Sequence, residues 1–343
     1  MAVVTGIPLA PAPRIRPAGL QAGARLTRIE GPAEALSLVA TELQQAEAEL
    51  RALVHSDVAE VPAVAGYLLD AGGKRLRPAL TALGARAVGW QGSVVRLMCV
   101  GELLHLGSLL HDDVVDEGVL RRGKPAAYRV YGAPTAVLTG DFCLARAMLL
   151  AAEEGGFEAV RALGATVTEM AEGEVLQLKR AGDLSTSLAD YLEVIDRKSA
   201  ALIAWCAAAA AWAKGDAAAA DALQRFGRGV GAAFQITDDV LDYAEGTGKA
   251  PGADLRERKV TLPLVLAMEE LPELRARLTA GPLEADELDE WMRRIRSSSA
   301  LRRSLDLARA RAEAAVSALD ELAPSPARDG LQVLATYLVE RST

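Results

Sequence analysis

Two stretches of the chain carry the same acidic spacing, His111-Asp112-Asp113-Val114-Val115-Asp116 and Gln235-Ile236-Thr237-Asp238-Asp239-Val240-Leu241-Asp242, and both contain D-D-x-x-D. With twenty aspartates in 343 residues, chance supplies roughly 0.07 such triplets, and a pair of them roughly 0.002 times. A single triplet also fits a solvated helix face or an N-cap cluster. On a helix, Asp112 and Asp116 stand one turn apart on one face with Asp113 on the flank, so the carboxylates converge off the surface. Both triplets adjoin largely apolar runs, 98–110 and 229–234, and anions left unpaired beside a core are expensive. A cation is therefore expected. Carboxylate-only ligation, without His or Cys at ligand spacing, suits a hard ion. Magnesium in particular takes one or two carboxylates and completes its shell with water and substrate phosphate.

A separate basic set complements the triplets. Gly72-Gly73-Lys74-Arg75-Leu76-Arg77-Pro78 is a glycine-led loop whose backbone amides and guanidinium forks can hold diphosphate oxygens as it enters a helix. Gly118-Val119-Leu120-Arg121-Arg122-Gly123-Lys124-Pro125 follows directly on the first triplet, and Lys198, Lys249 and Lys259 add further charge. Taken singly, each is equally a turn surface or a surface lysine. His105 lies seven residues, two helical turns, before Asp112 and shares its face. The alternative is a core histidine bonded to a carbonyl. His111 reads as a packing or hydrogen-bonding neighbour.

The elements that must position these groups read as helices. Hydrophobic residues make up 51% and aromatics only 4%, with Ala, Leu and Val dominant and no alternating strand pattern. Residues 33–54 and 304–322 place apolar side chains at three- and four-residue intervals. Glycine-containing breaks at 72–73, 118, 132–134, 155–156, 182–183, 215–216 and 246–248 mark loops, and the part after Pro263 is expected to form solvated outer helices. The expected architecture is all-α, a single-domain helical bundle over 32–343 around a central substrate cavity. Residues 1–31 are a proline-interrupted, basic N-terminal tail without serine, which argues against a transit peptide.

Net charge of -8 and a pI near 5.2 exclude long-range attraction to phosphate backbones or anionic lipid, so no nucleic acid partner is expected. The uninterrupted apolar run 201–213 falls short of the roughly 18–20 residues that cross a bilayer. Cys99, Cys143 and Cys206 show no paired spacing and read as buried thiols in a reducing, cytoplasmic setting.

Taken together, these motifs resemble the all-trans polyprenyl diphosphate synthase family. Gly73 to Pro78, the first triplet with Arg121-Arg122-Gly123-Lys124-Pro125, Phe234-Gln235 with the second triplet, and Lys259-Val260-Thr261-Leu262-Pro263 occur in the family's order. The resemblance implies a homodimeric, all-helical, magnesium-dependent prenyltransferase that joins isopentenyl diphosphate to an allylic diphosphate. It assigns Asp112, Asp113, Asp116, Asp238, Asp239 and Asp242 to the metal, and Lys198, Gln235, Lys249, Lys259 and Arg121 to the allylic diphosphate. Gly73, Lys74, Arg77, His105 and Arg122 would hold isopentenyl diphosphate. Two departures stand out: Ser199 replaces the usual Thr, and Arg258 the usual Gly before Lys259.

Small residues one turn before Asp112, Gly107 and Ser108, would leave the channel open and predict a long-chain product, with Leu104 and Met170 as candidates for its floor. The alternatives are a short-chain, geranylgeranyl-type synthase, a class I terpene cyclase and a non-catalytic prenyl synthase subunit. The cyclase normally carries N-x-x-x-S-x-x-x-E as its second metal motif, and a non-catalytic subunit lacks one or both acidic motifs. Both triplets are intact here.

Overall fold

The computed structural model describes residues 29–70, 75–244 and 252–340. The N-terminal tail expected at 1–31 falls almost wholly outside them. Helices dominate, as the composition predicts. The first half runs through Pro32–Ser37, Ala40–Leu53, Glu60–Leu69, Leu76–Ala87, Val95–Val115, Ala127–Tyr131 and Ala133–Lys179. The second half runs through Leu188–Ile195, Ala201–Lys214, Ala217–Leu241, Ala253–Arg256, Leu262–Glu270, Pro272–Ala280, Ala285–Ser297, Ala300–Ser317 and Pro326–Glu340.

The alanine-rich helix Ala201–Lys214 lies at the centre, with residues 201–211 buried. A helix that is apolar all round needs neighbours on every side, and this one packs against Leu76–Ala87, Ala133–Lys179 and Ala217–Leu241. Trp205 anchors it by donating its indole N–H to the Ala159 carbonyl at 3.1 Å. Gly215, at φ 74, closes its C-terminus in the left-handed conformation. Asp216 then caps the next helix by accepting from the Ala219 amide at 3.1 Å. That next helix, Ala217–Leu241, carries the second acidic triplet at its end, while Val95–Val115 carries the first.

Three expectations change. The expected break at Gly155-Gly156 is present, but as a sharp kink rather than an extended loop: within Ala133–Lys179 two helices meet at Gly156, whose φ of 70 leaves helical geometry. By length and composition this helix qualifies for a membrane span. Here it lies along Val95–Val115 and Ala201–Lys214 in the bundle. The part after Pro263 is not merely a solvated outer layer. Leu264, Leu274, Leu278, Met292 and Ile295 build a second buried cluster beneath their charged faces.

Gly107 does not face an open channel. A Cβ there would sit 2.8 Å from the Gly140 carbonyl oxygen and 3.4 Å from Cys143 Cβ, so the absence of a side chain lets two long helices touch. Ser108 donates its hydroxyl back to the His105 carbonyl at 2.9 Å. Of the two floor candidates, Leu104 is buried in the main core and Met170 packs against it. Gly107→Ala should therefore lower stability by about 1–3 kcal/mol through overpacking, read as a fall in the denaturation midpoint. An unchanged midpoint would contradict the close packing.

Candidate active site

Each acidic triplet ends its helix, which brings carboxylates to the boundary between core and solvent. In the first, Asp113 is buried, Asp112 half-buried and Asp116 exposed. Asp113 Oδ1 accepts from Arg121 Nε at 2.7 Å and lies 2.6 Å from Arg121 Nη2. Its other oxygen is buried without a hydrogen-bond partner. Burial lifts the Asp112 carboxyl to about 6, Glu174 and Asp116 push the same way, and Lys198 opposes them.

Arg121 reaches Asp113 from a hairpin. Leu120–Arg121 pairs with Lys124–Pro125, and the two turn residues, Arg122 and Gly123, have φ 53 and 79. Positive φ at both central positions is the signature of a type I′ turn, at a cost of about 1 kcal/mol for the non-glycine residue. Tyr67 secures the far strand by donating its hydroxyl to the Pro125 carbonyl at 2.8 Å, with Lys124 over its ring. Strands this short leave no periodicity in the sequence, so composition concealed the hairpin.

In the second triplet Asp239 is a hydrogen-bonded hub. Tyr191 donates its phenol to Oδ2 at 2.6 Å, and Gln235 donates its amide to Oδ1 at 2.8 Å. Ser199 donates to the Gln235 carbonyl oxygen at 2.9 Å, which fixes that amide's orientation, so the hydroxyl retained at this position is used. Asp242 accepts from the Ala253 and Asp254 amides at 3.3 and 3.0 Å and so caps the short helix that follows. Asp238, which precedes them, is half-buried.

Lys259 lies in the electrostatic field of the carboxylates. Attraction to Asp254, Asp239 and Asp116 holds its ammonium above the ordinary lysine range despite the opposing effect of burial, which is the largest single influence. Asp254 lies 3.9 Å from Lys259 and accepts from the Thr261 hydroxyl at 3.1 Å, and burial pushes its carboxyl up to about 7. Arg258, the residue in place of the family's usual Gly, adopts φ 55. Glycine enters that region freely, whereas a side chain is strained there. Its Nε is buried without a partner.

Lys198 sits in a π-helical turn, Asp196–Ala200, that joins Leu188–Ile195 to the central helix. Such turns re-aim side chains and often mark functional positions. Its ammonium is paired with Glu174.

The second basic group gathers around His105. Burial, followed by repulsion from Arg77, Arg122, Arg121 and Arg75, keeps its imidazole well below the ordinary value and therefore neutral. Buried Glu102 pairs with Arg75 at 2.9 Å and lies 3.9 Å from Arg77, whose Nε has no partner. Arg75 starts the Leu76–Ala87 helix at φ 50. His111 packs at the Gly140 crossing, 3.1 Å from the Val137 carbonyl and 3.3 Å from Asp141. Gly73, Lys74 and Lys249 lie outside the described residues. Sequence reading missed Glu102, Glu174, Tyr191 and Asp254, because isolated acids and a single tyrosine have no spacing to betray them.

Among the described residues no three His, Cys, Asp or Glu side chains lie close enough to hold a metal ion as they stand. The donor set nevertheless fits a hard divalent cation. Asp113 offers an orphaned buried carboxylate oxygen, and an ion completed by water and substrate phosphate needs only one or two protein carboxylates. In the second triplet both oxygens of Asp239 and Asp242 are already engaged by protein donors, so the six aspartates are not equivalent ligands.

A family model described as polyprenyl synthetase matches residues 58–294. The octaprenyl diphosphate synthase of Haemophilus influenzae is 36% identical over 318 residues, spanning 90% of this chain and 97% of that protein. The crystal structure of a polyprenyl synthase from Caulobacter crescentus, complexed with calcium and isoprenyl diphosphate, superposes with a TM-score of 0.85 at 38% identity, covering 92% of this chain and 100% of that one. A decaprenyl diphosphate synthase from Rhodobacter capsulatus gives 0.84 at 35%, covering 91% and 99%.

The raised carboxyls of Asp112, Asp239 and Asp254 bind their proton more tightly in the folded than in the unfolded protein and favour the folded state as pH falls from above about 7 toward about 5, whereas His105, neutral when folded but protonated near 6.5 when unfolded, opposes them over the same range. The depressed carboxyls of Asp183, Asp190 and Glu287 give stability back only at lower pH, near and below the unfolded carboxylate range of about 4. Without added metal these carboxyls should tilt the melting temperature toward acid pH, raising it at about pH 5.5 relative to about pH 8 by roughly 1–2 °C per kcal/mol they contribute. Asp112→Asn combined with Asp254→Asn should flatten that slope. An intact slope in the double variant would refute these assignments.

Proposed function

Because the chain belongs to the polyprenyl synthetase family, we propose that it is a long-chain all-trans polyprenyl diphosphate synthase, adding isopentenyl diphosphate successively to an allylic diphosphate primer. The observation that carries this reading is the buried Asp113 carboxylate of the first row, held by Arg121 through one oxygen and left without a partner at the other, where a cation and a diphosphate can complete it.

The allylic diphosphate is read as lying between the rows, with Lys198, Lys259 and Arg121 as its cationic contacts. A divalent cation, taken to be magnesium, would be held by Asp112, Asp113 and Asp116 on one side and the Asp238 end on the other, and when bound it neutralises charge on the leaving diphosphate. Asp239, fixed by Tyr191 and Gln235, positions the second row. Arg77, Arg122 and neutral His105 offer donors for the second diphosphate, with Glu102 holding the arginines in place. Such preorganised donors act most strongly on charge that develops during ionisation of the allylic carbon–oxygen bond, at about 3–4 kcal/mol each. The isopentenyl double bond then attacks the allylic carbon as its bond to pyrophosphate breaks, and the released pyrophosphate takes up the proton lost from the new cation, leaving an allylic diphosphate one isoprene unit longer.

Long product length is supported by the named relatives, since Gly107 belongs to a helix contact. A second copy of the chain is the proposed partner. Leu138, Leu149, Phe157 and Val175, all exposed along Ala133–Lys179, would supply an apolar face for it.

Incubation of purified protein with isopentenyl diphosphate, farnesyl diphosphate and magnesium should yield products well beyond geranylgeranyl length after dephosphorylation. Asp112→Ala and Asp238→Ala should each lose at least about 100-fold in kcat while keeping the native circular dichroism spectrum. Products no longer than geranylgeranyl would reassign the chain to the short-chain class, and near-normal turnover in either variant would remove that aspartate from the site.

A further inference from the structure

Five of the described cations around the site are matched by a carboxylate of the protein. Arg121 is paired with Asp113, Arg75 and Arg77 with Glu102, Lys259 with Asp254 and Lys198 with Glu174. Asp113 belongs to an acidic row, whereas Glu102, Asp254 and Glu174 do not. Glu174 stands apart because it meets its lysine directly at the rim, both side chains being about one-fifth exposed, at 18% and 22%.

The backbone enforces this meeting. Gly173 precedes Glu174, and a Cβ at Gly173 would lie 2.6 Å from the Lys198 amide nitrogen and 2.9 Å from Arg197 Cβ. The long helix therefore rests against the π-helical turn, and the next side chain along it meets the ammonium that the turn aims. Arg197, beside Lys198, is occupied on the outer side by Glu172 and Glu193, so it does not compete for Glu174. Glu174 also raises the Asp112 carboxyl while Lys198 lowers it, which puts the pair within electrostatic reach of the first row.

We propose that Glu174 is a positioning residue that occupies the Lys198 phosphate subsite when no substrate is bound, and that an incoming diphosphate oxygen replaces its carboxylate on the ammonium. This rests on the proposed function, which makes Lys198 a diphosphate contact. The exchange swaps one anion for another, so no naked ammonium is left partly buried in the empty site, where desolvation would depress its charge. It also keeps the lysine extended toward the site. Return of Glu174 to Lys198 competes with the pyrophosphate product and promotes its departure, so that each elongation cycle clears the site for the next.

Glu174→Gln keeps the shape and removes the competing charge. Isothermal titration calorimetry with inorganic pyrophosphate, at a fixed excess of magnesium, should show about tenfold tighter binding to Glu174→Gln than to the wild type, whereas kcat falls several-fold as product is retained. Glu174→Asp should stay within about twofold of wild type in both. A purely structural role would move affinity and kcat downward together. Unchanged or weaker pyrophosphate binding in Glu174→Gln, or a Glu174→Gln protein that fails to fold, would overturn the exchange. Wild-type protein that binds no pyrophosphate would instead bring down the proposed function, and the exchange with it.

Discussion

The Lys259 ammonium stands 3.9 Å from Asp254, and attraction to Asp254, Asp239 and Asp116 keeps it charged beside carboxylates that repel one another. Six aspartates in two rows repel one another, and burying any of them costs several kcal/mol unless a counter-charge or a set of donors is supplied. The chain meets this requirement differently at each carboxylate. Asp113 has a guanidinium, Asp239 a tyrosine and a glutamine, and Asp242 two backbone amides at the start of a short helix.

Helix packing decides where these groups stand. The central alanine helix is buried along most of its length, so its neighbours pack around a common axis and the ends of Val95–Val115 and Ala217–Leu241 are fixed against one framework. Small residues at Gly107, Gly140 and Gly173 bring backbones together at the level of the site. Arg75, Arg122 and Arg258 all pay backbone strain in the left-handed region, and each lies in or beside a segment whose cations face the proposed diphosphates.

Much of this was legible in the residues. The helical class followed from alanine and leucine content with few aromatics, and the duplicated triplet with its basic loops pointed to diphosphate chemistry. Other features were invisible because they depend on tertiary approach. Gly107 sits at the right spacing to face a channel, yet a neighbouring carbonyl fills the space a side chain would take. Gly155-Gly156 has the composition of a loop and does break the helix, yet the two helices meet directly at Gly156 with no connecting segment. Glu102, Glu174, Tyr191 and Asp254 are single residues far apart in the chain, and only folding brings them to the groups they hold.

The most direct test of the account is a crystal structure of the protein grown with manganese and inorganic pyrophosphate, with the metal located by its anomalous signal. Manganese peaks against Asp112, Asp113 and Asp116 and against Asp238, with one pyrophosphate between them contacting Lys198 and Lys259, are the predicted result. Manganese on one row alone, with pyrophosphate elsewhere on the surface, would contradict the claim that the two rows and their lysines form a single site.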